Sequence, residues 1–263
     1  MKTKALLSVA LALPPLCGAS PSALTVPDGE YRLVAACRLQ SPETPLIGQL
    51  PGMELFVFSS VADMFFAASW SLGQWGPGIT FSAGEGAVFQ PSGGDVTLLF
   101  QQSVAPKLPL QLEPGFHLIC CQTDIVSTFE DIVGTPPANG TLLYQFNAGP
   151  GRKPFNLASP DYTIFTFANG AWSPTNPVVG VTEAVFVYQP PQLSNAEVIA
   201  NGISFEITPP LNQQFLIEYT DSLTQPSWQP LTNVLGSGAS IKVTDDSMGT
   251  SVKQRFYRAR STQ

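Results

Sequence analysis

Positive charge is scarce in this chain: 12 Lys and Arg stand against 19 Asp and Glu, for a formal net charge of −7 over 263 residues. So few cations cannot neutralise a phosphate backbone, so nucleic acid is not an expected partner. Histidine is scarcer still. One imidazole, His117, cannot complete an ordinary zinc set. A Ser-His-Asp triad would have to use it, yet no Gly-x-Ser-x-Gly elbow occurs. Acidic residues do not alternate as in a calcium loop, and the cysteines lack metal-ligand spacing. No cofactor is expected. Long apolar runs are also missing after the first turns of the chain, so no transmembrane segment is expected.

What is plentiful is Gly (22), Pro (25) and Phe (17). With few Lys and Glu to build long helices, that mixture fits many short strands joined by tight turns, an all-β fold. Residues 1–19 combine two lysines, an apolar stretch from Ala5 to Leu13 and small residues at Gly18 and Ala19. They read as a secretory signal peptide. Cys17 has no small residue before it, which disfavours a lipoprotein anchor. Removing Lys2 and Lys4 leaves 10 basic residues against 19 acidic ones, a charge of −9. The expected location is secreted, extracellular or periplasmic.

The chain repeats itself. A segment from about 29 to 91 returns, with insertions, from about 115 to 190, within a duplicated β-rich region of about 24–190. Tyr31 and Leu33 answer Phe116 and Leu118, Ser41 answers Ser127, Gly48 answers Gly134, and Pro51 answers Pro137. Phe56 and Phe58 answer Tyr144 and Phe146, both in β-rich aromatic strands. From Phe65 to Phe89 the first copy then matches Tyr162 to Phe186 without a gap, setting Trp70 on Phe167, Trp75 on Trp172 and Ala-Val-Phe on Ala-Val-Phe. In the second copy Ser127 and Glu130 form a capping box for a short helix with Phe129, Ile132 and Val133 on one face, which Gly134 can end. An added loop at 149–157 suits an exposed excursion. The expected architecture is sandwich-like or barrel-like.

From 193 to 263 the pattern changes. Ile203, Phe205 and Ile207 alternate with polar residues, as do Phe215, Ile217 and Tyr219. Phe-Leu-Ile-Glu-Tyr-Thr, then Trp228, then Arg-Phe-Tyr-Arg-Ala-Arg resemble the strand order of a fibronectin-type-III-like sandwich, which implies a spacer or binding module. The repeated region, through Gly-Phe-His-Leu-Ile, Gly-Ala-Trp and Glu-Ala-Val-Phe-Val-Tyr-Gln-Pro, resembles a domain of uncharacterised secreted proteins of environmental Gram-negative bacteria. That resemblance implies no activity.

Few residues invite chemistry. Trp75 and Trp172 are the candidate ligand surface, since exposed aromatic rings stack on sugars. Each sits in a Gly-x-Trp-x-Pro hairpin, however, which also suits a packing wedge. Trp70, matched by Phe167, reads as core. Cys37, Cys120 and Cys121 leave two arrangements open: buried free thiols, or a disulfide from Cys37 to Cys120 or Cys121 across the repeats. Glu85 and Glu183, each just ahead of Ala-Val-Phe, suit turn carboxylates that cap backbone amides better than a glycosidase pair. His117 reads as a strand histidine, and Asn139-Gly140-Thr141 as a hairpin turn. Asp245 and Asp246 read as a turn, and Lys242, Lys253, Arg255, Arg258 and Arg260 as a solvated face of two strands. The sequence therefore predicts a non-catalytic envelope or extracellular protein of binding or structural type, facing an unknown protein or glycan surface. The alternative is a carbohydrate-binding accessory module or, further off, a glycan hydrolase.

Overall fold

The computed structural model describes residues 22–39, 53–71, 74–75, 81–100, 106–200, 202–247 and 254–262, without the side chains of 69–71 and 74–75. In chain order its strands are β1 (Ser22–Val26), β2 (Arg32–Val34), β3 (Met53–Ser59), β4 (Met64–Ser71), β5 (Gln74–Trp75), β6 (Ala87–Pro91) and β7 (Val96–Phe100). There follow β8 (Gly115–Cys120), β9 (Ser127–Thr128), helix α1 (Phe129–Val133), β10 (Leu142–Phe146), β11 (Tyr162–Ala168), β12 (Ala171–Ser173), β13 (Val178–Val179) and β14 (Ala184–Gln189). The last six are β15 (Leu193–Ile199), β16 (Gly202–Ile207), β17 (Gln214–Thr220), β18 (Gln229–Leu235), β19 (Ile241–Asp245) and β20 (Phe256–Ser261). The all-β expectation holds, and α1 is the one α-helix among the described residues. No described helix is long and apolar enough to cross a membrane.

Two five-stranded antiparallel sheets dominate residues 22–190. One has the order β2-β6-β3-β4-β5 and the other β8-β14-β10-β11-β12. Neither closes on itself, so the barrel alternative is replaced by open sheets. Taken in chain order, both sheets run first, fifth, second, third, fourth. Equivalent strands also keep their register: Leu33 and Phe56 both pair with Val88, as Leu118 and Tyr144 both pair with Phe186. Val88, not Phe89, thus holds the place of Phe186, and the ungapped match drawn from sequence is one residue out at its end. In a pleated sheet such a slip exchanges faces.

The sheets meet through paired backbone contacts. Val34 bridges Glu183 and Ile119 bridges Glu85; the Ala35 N–H donates to the Thr182 carbonyl at 3.0 Å, and the Cys120 N–H to the Gly84 carbonyl at 2.9 Å. Between them lies one core holding Val34, Leu55 and Phe89 with Leu118, Cys120, Tyr144 and Phe186. The β1–β7 ribbon adds Val26, Leu98 and Phe100 to it. A second cluster on the other side of the β8-containing sheet joins Ile119, Cys121, Val185 and Val187 to Phe129, Ile132 and Val133 of α1. Burial on both faces explains why the run Ala184–Val187 has no polar alternation.

The capping box of α1 lies one residue beyond its expected place. Thr128 is the N-cap and Asp131 its partner, while Gly134 ends the helix at φ 84° as expected. Ser127 belongs to β9, paired with Val179, and its hydroxyl donates to the Ile125 carbonyl. Loop 149–157 is less of an excursion than its composition implies. Pro154 is buried, its carbonyl accepts the Tyr162 hydroxyl at 2.6 Å, and Phe155 sets its ring edge-on against Tyr31, Phe56 and Phe65 at centroid distances of 5.3, 5.2 and 5.1 Å.

Residues 193–262 form two three-stranded antiparallel sheets, β15-β16-β19 and β18-β17-β20. Phe205, Ile207, Ile217, Val234 and Val243 fill the space between them, as the alternation in β16 and β17 requires. Asp245 closes β19 and is fully buried, so it is not a solvent-facing turn residue. Arg255 meets Asp245 at 2.8 Å and Asp221 at 2.8 Å, with 4% of its side chain exposed. The basic C-terminal residues are therefore not simply solvated: Arg258 and Arg260 pair with Glu218, and Arg258 also lies 4.1 Å over the Trp228 ring. Lys253 falls outside the described residues.

Candidate functional site

Trp172, one of the two ring candidates, is half-buried. In β12 it pairs with Phe167, and its ring packs on Phe129 and Phe167 at 5.7 and 5.3 Å. It packs on the second cluster, and its indole Nε1 is enclosed with no hydrogen-bond partner among the described residues. The geometry is that of a wedge. The backbone of Trp75 in β5 pairs with that of Trp70 in β4, and both side chains lie outside the described residues. Of the two candidates, Trp172 is therefore placed as a packing residue.

The matched carboxylates do the same local work in each half. Glu85 accepts from the Ser82 N–H at 2.6 Å and Glu183 from the Gly180 N–H at 3.2 Å, each closing a turn of four residues. Caps of this kind hold the backbone stretches that bridge the two sheets.

Concavity is found instead at the seam with the C-terminal module. The β3–β4 turn supplies Ser60 and Val61, the entry to β8 supplies Glu113, Pro114 and His117, and Pro209, Pro210 and Leu211 face them across a cleft of about 340 Å³. A second hollow of about 260 Å³ shares Ser60, Glu113 and His117 and runs toward Gly84 and Leu112. His117 stands between the two. Its Nε2 lies 2.5 Å from the Glu113 backbone carbonyl, to which it donates. Burial pushes the imidazole pKa down, against the opposing pull of that carbonyl and of the Glu113 charge. In the first cleft Val61, Pro114, Pro209, Pro210 and Leu211 form the apolar wall, and His117, Glu113 and the hydroxyl residues Ser60, Thr208 and Ser237 are its polar groups. Local pattern places His117 only on a strand; the seam that surrounds it needs Pro209 and Pro210, far along the chain.

The cysteines separate by face. Cys120 and Cys121 are adjacent and fully buried. Alternation sends Cys121 into the second cluster, where its thiol donates to the Val179 carbonyl at 3.2 Å, and Cys120 into the shared core. Cys37, half-buried on a 3-10 turn at Ala36–Arg38, sets its Sγ 3.2 Å from that of Cys120. All three are free thiols in this structure. Burial pushes both the Cys120 and the Cys121 thiol up, whereas the hydrogen bond with Cys120 holds Cys37 down, with help from the charge of Arg38.

Arg38 itself escapes sequence reasoning. It is fully buried and donates to the carbonyls of Thr123 and, at 2.7 Å, Val181, so a cation of the first half binds backbone of the second. No pattern distinguishes such an arginine from an exposed one. Among the described residues no cluster of His, Cys, Asp and Glu could hold a metal ion. No protein-family model, curated protein or solved structure matches the chain.

Proposed function

We propose that this chain is a non-catalytic envelope or extracellular protein of binding or structural type, exported by its N-terminal leader, and that it binds its partner at the seam around His117. In this reading residues 24–190 are a duplicated unit whose halves complete one core, and the fibronectin-type-III-like residues 193–263 form the far wall of the binding cleft. Support comes first from that cleft: Val61, Pro114, Pro209, Pro210 and Leu211, with His117, Glu113 and the hydroxyls of Ser60, Thr208 and Ser237 among them, make the predominantly apolar lining with a few polar groups that is typical of recognition sites. Support for the non-catalytic part comes from Glu85 and Glu183, the recurring carboxylates, which are both engaged as turn caps. The carbohydrate-binding alternative draws its remaining support from Trp75 alone.

The test is a paired screen of the full chain on a glycan array and a displayed random-peptide library, alongside a Val61→Glu/Leu211→Glu variant. Both residues are exposed, at 82% and 49%, so the variant should fold. A ligand recovered by the parent and lost by the variant, at unchanged melting temperature, supports the seam. A ligand held equally by both would place binding elsewhere and overturn it.

A further inference from the structure

Cys37 and Cys120 belong to different halves of the molecule and are 83 positions apart, yet their sulfurs are in contact at 3.2 Å. One acceptor organises both: the Glu85 carbonyl takes the Cys37 N–H at 3.0 Å and the Cys120 S–H at 3.1 Å. Cys120 is further fixed by its own N–H on the Gly84 carbonyl. Little motion separates this arrangement from a bond. Cys121, its neighbour, points into the opposite cluster and is held by Val179.

We propose that Cys37 and Cys120 are a disulfide-forming pair that locks the two halves together, that the oxidant is a low-molecular-weight or protein disulfide, and that Cys121 stays a thiol. Access sets the order of events. Cys37, half-buried, attacks the oxidant R–S–S–R as thiolate, forming a mixed disulfide and releasing one RS⁻, which takes up the proton Cys37 lost. Cys120, wholly enclosed, then loses its proton and attacks the Cys37 sulfur, releasing the second RS⁻. In sum two protein thiols and one R–S–S–R give one protein disulfide and two R–SH. The depressed Cys37 pKa, set first by the Cys120 contact and aided by the buried Arg38, suits it to the first step.

The experiment uses the full chain carrying Cys17→Ser, so that three thiols remain. It is treated with oxidised glutathione, denatured, alkylated and mapped by non-reducing mass spectrometry. The expected result is a peptide joining Cys37 to Cys120, with one alkylated thiol at Cys121. Because the bridge closes a long loop, the oxidised protein should melt roughly 10 °C above the reduced one, and Cys37→Ala should abolish that difference. Cys121→Ser should still form the bridge, which separates failure to pair from failure to fold. A linkage through Cys121, or three alkylatable thiols after oxidation, would overturn the assignment; a Cys37–Cys120 bridge without any gain in melting temperature would sink the locking role.

Discussion

Gly86 and Ala184 meet across the contact between the two sheets so closely that a Cβ added to Gly86 would fall 2.4 Å from that of Ala184. Each follows a capping glutamate, Glu85 or Glu183. The Leu118 side chain stands 3.1 Å from the same point, so both neighbours would have to shift to admit a methyl group. Gly86→Ala is expected to cost about 1–3 kcal/mol through overpacking. Urea denaturation followed by fluorescence measures it, and a stability equal to the parent would show that the halves can separate freely.

Phe155 is the one ring through which the added loop grips the first half. It contacts Tyr31, Phe56 and Phe65 although 41% of it stays exposed. Phe155→Ala should lower stability by about 1–2 kcal/mol and weaken the near-UV circular dichroism of the aromatic cluster. Retention of both signals would mean that the loop rests on the surface without holding it.

Trp172 offers an unusual sign. Its Nε1 is enclosed without a partner, so Trp172→Phe removes a desolvated donor and keeps most of the apolar contact with Phe129 and Phe167. Stability at or above that of the parent is expected, whereas Trp172→Ala should lose about 2–4 kcal/mol. A marked loss in the phenylalanine variant would reveal a bond made by the indole.

Asp245 is expected to contribute to the acid limb of the C-terminal module. Burial acts to raise its pKa, but hydrogen bonds from Ser247, Arg255 and Tyr257 outweigh burial and hold it below the ordinary 3.8. A carboxylate depressed on folding stabilises fully above the unfolded value and loses that contribution as pH falls through the folded one. Asp245→Asn should therefore flatten the decline in stability below about pH 4 and cost about 1–3 kcal/mol at neutral pH, because Arg255 loses one of its two carboxylate partners and keeps Asp221. Melting temperatures across an acid series provide the check.

His117 acts over a higher range. Burial lowers its pKa from 6.5 on folding, so the folded chain binds fewer protons there than the unfolded one. Stability is then complete above the unfolded value and declines as pH drops below it. His117→Gln should reduce the slope between pH 7 and 5, read by the same melting series; an unchanged slope would show that the ring titrates freely in the cleft.

Much of this fold could be read from residues with strong local preferences. Tyr31, Phe56, Tyr144 and their neighbours announce strands, Gly134 announces a helix end, and Phe215 and Ile217 announce a buried face. Errors arose where local signals had near duplicates. Ser127 and Thr128 are both good caps, and only the pairing of Ser127 with Val179 decides between them. Ala-Val-Phe occurs in both halves, and identity of letters hid a one-residue difference in pairing. The site was less legible because its parts are distant: nothing near Cys37 announces Cys120, nothing near His117 announces Pro210, and Arg38 and Arg255 look like surface cations until a fold encloses them.

The reciprocal bridges, Val34 with Glu183 and Ile119 with Glu85, have the symmetry of an isologous dimer interface. Each half presents to the other the surface that it receives in return. A polypeptide holding only one half would leave that surface bare and would be expected to associate with a second copy of itself.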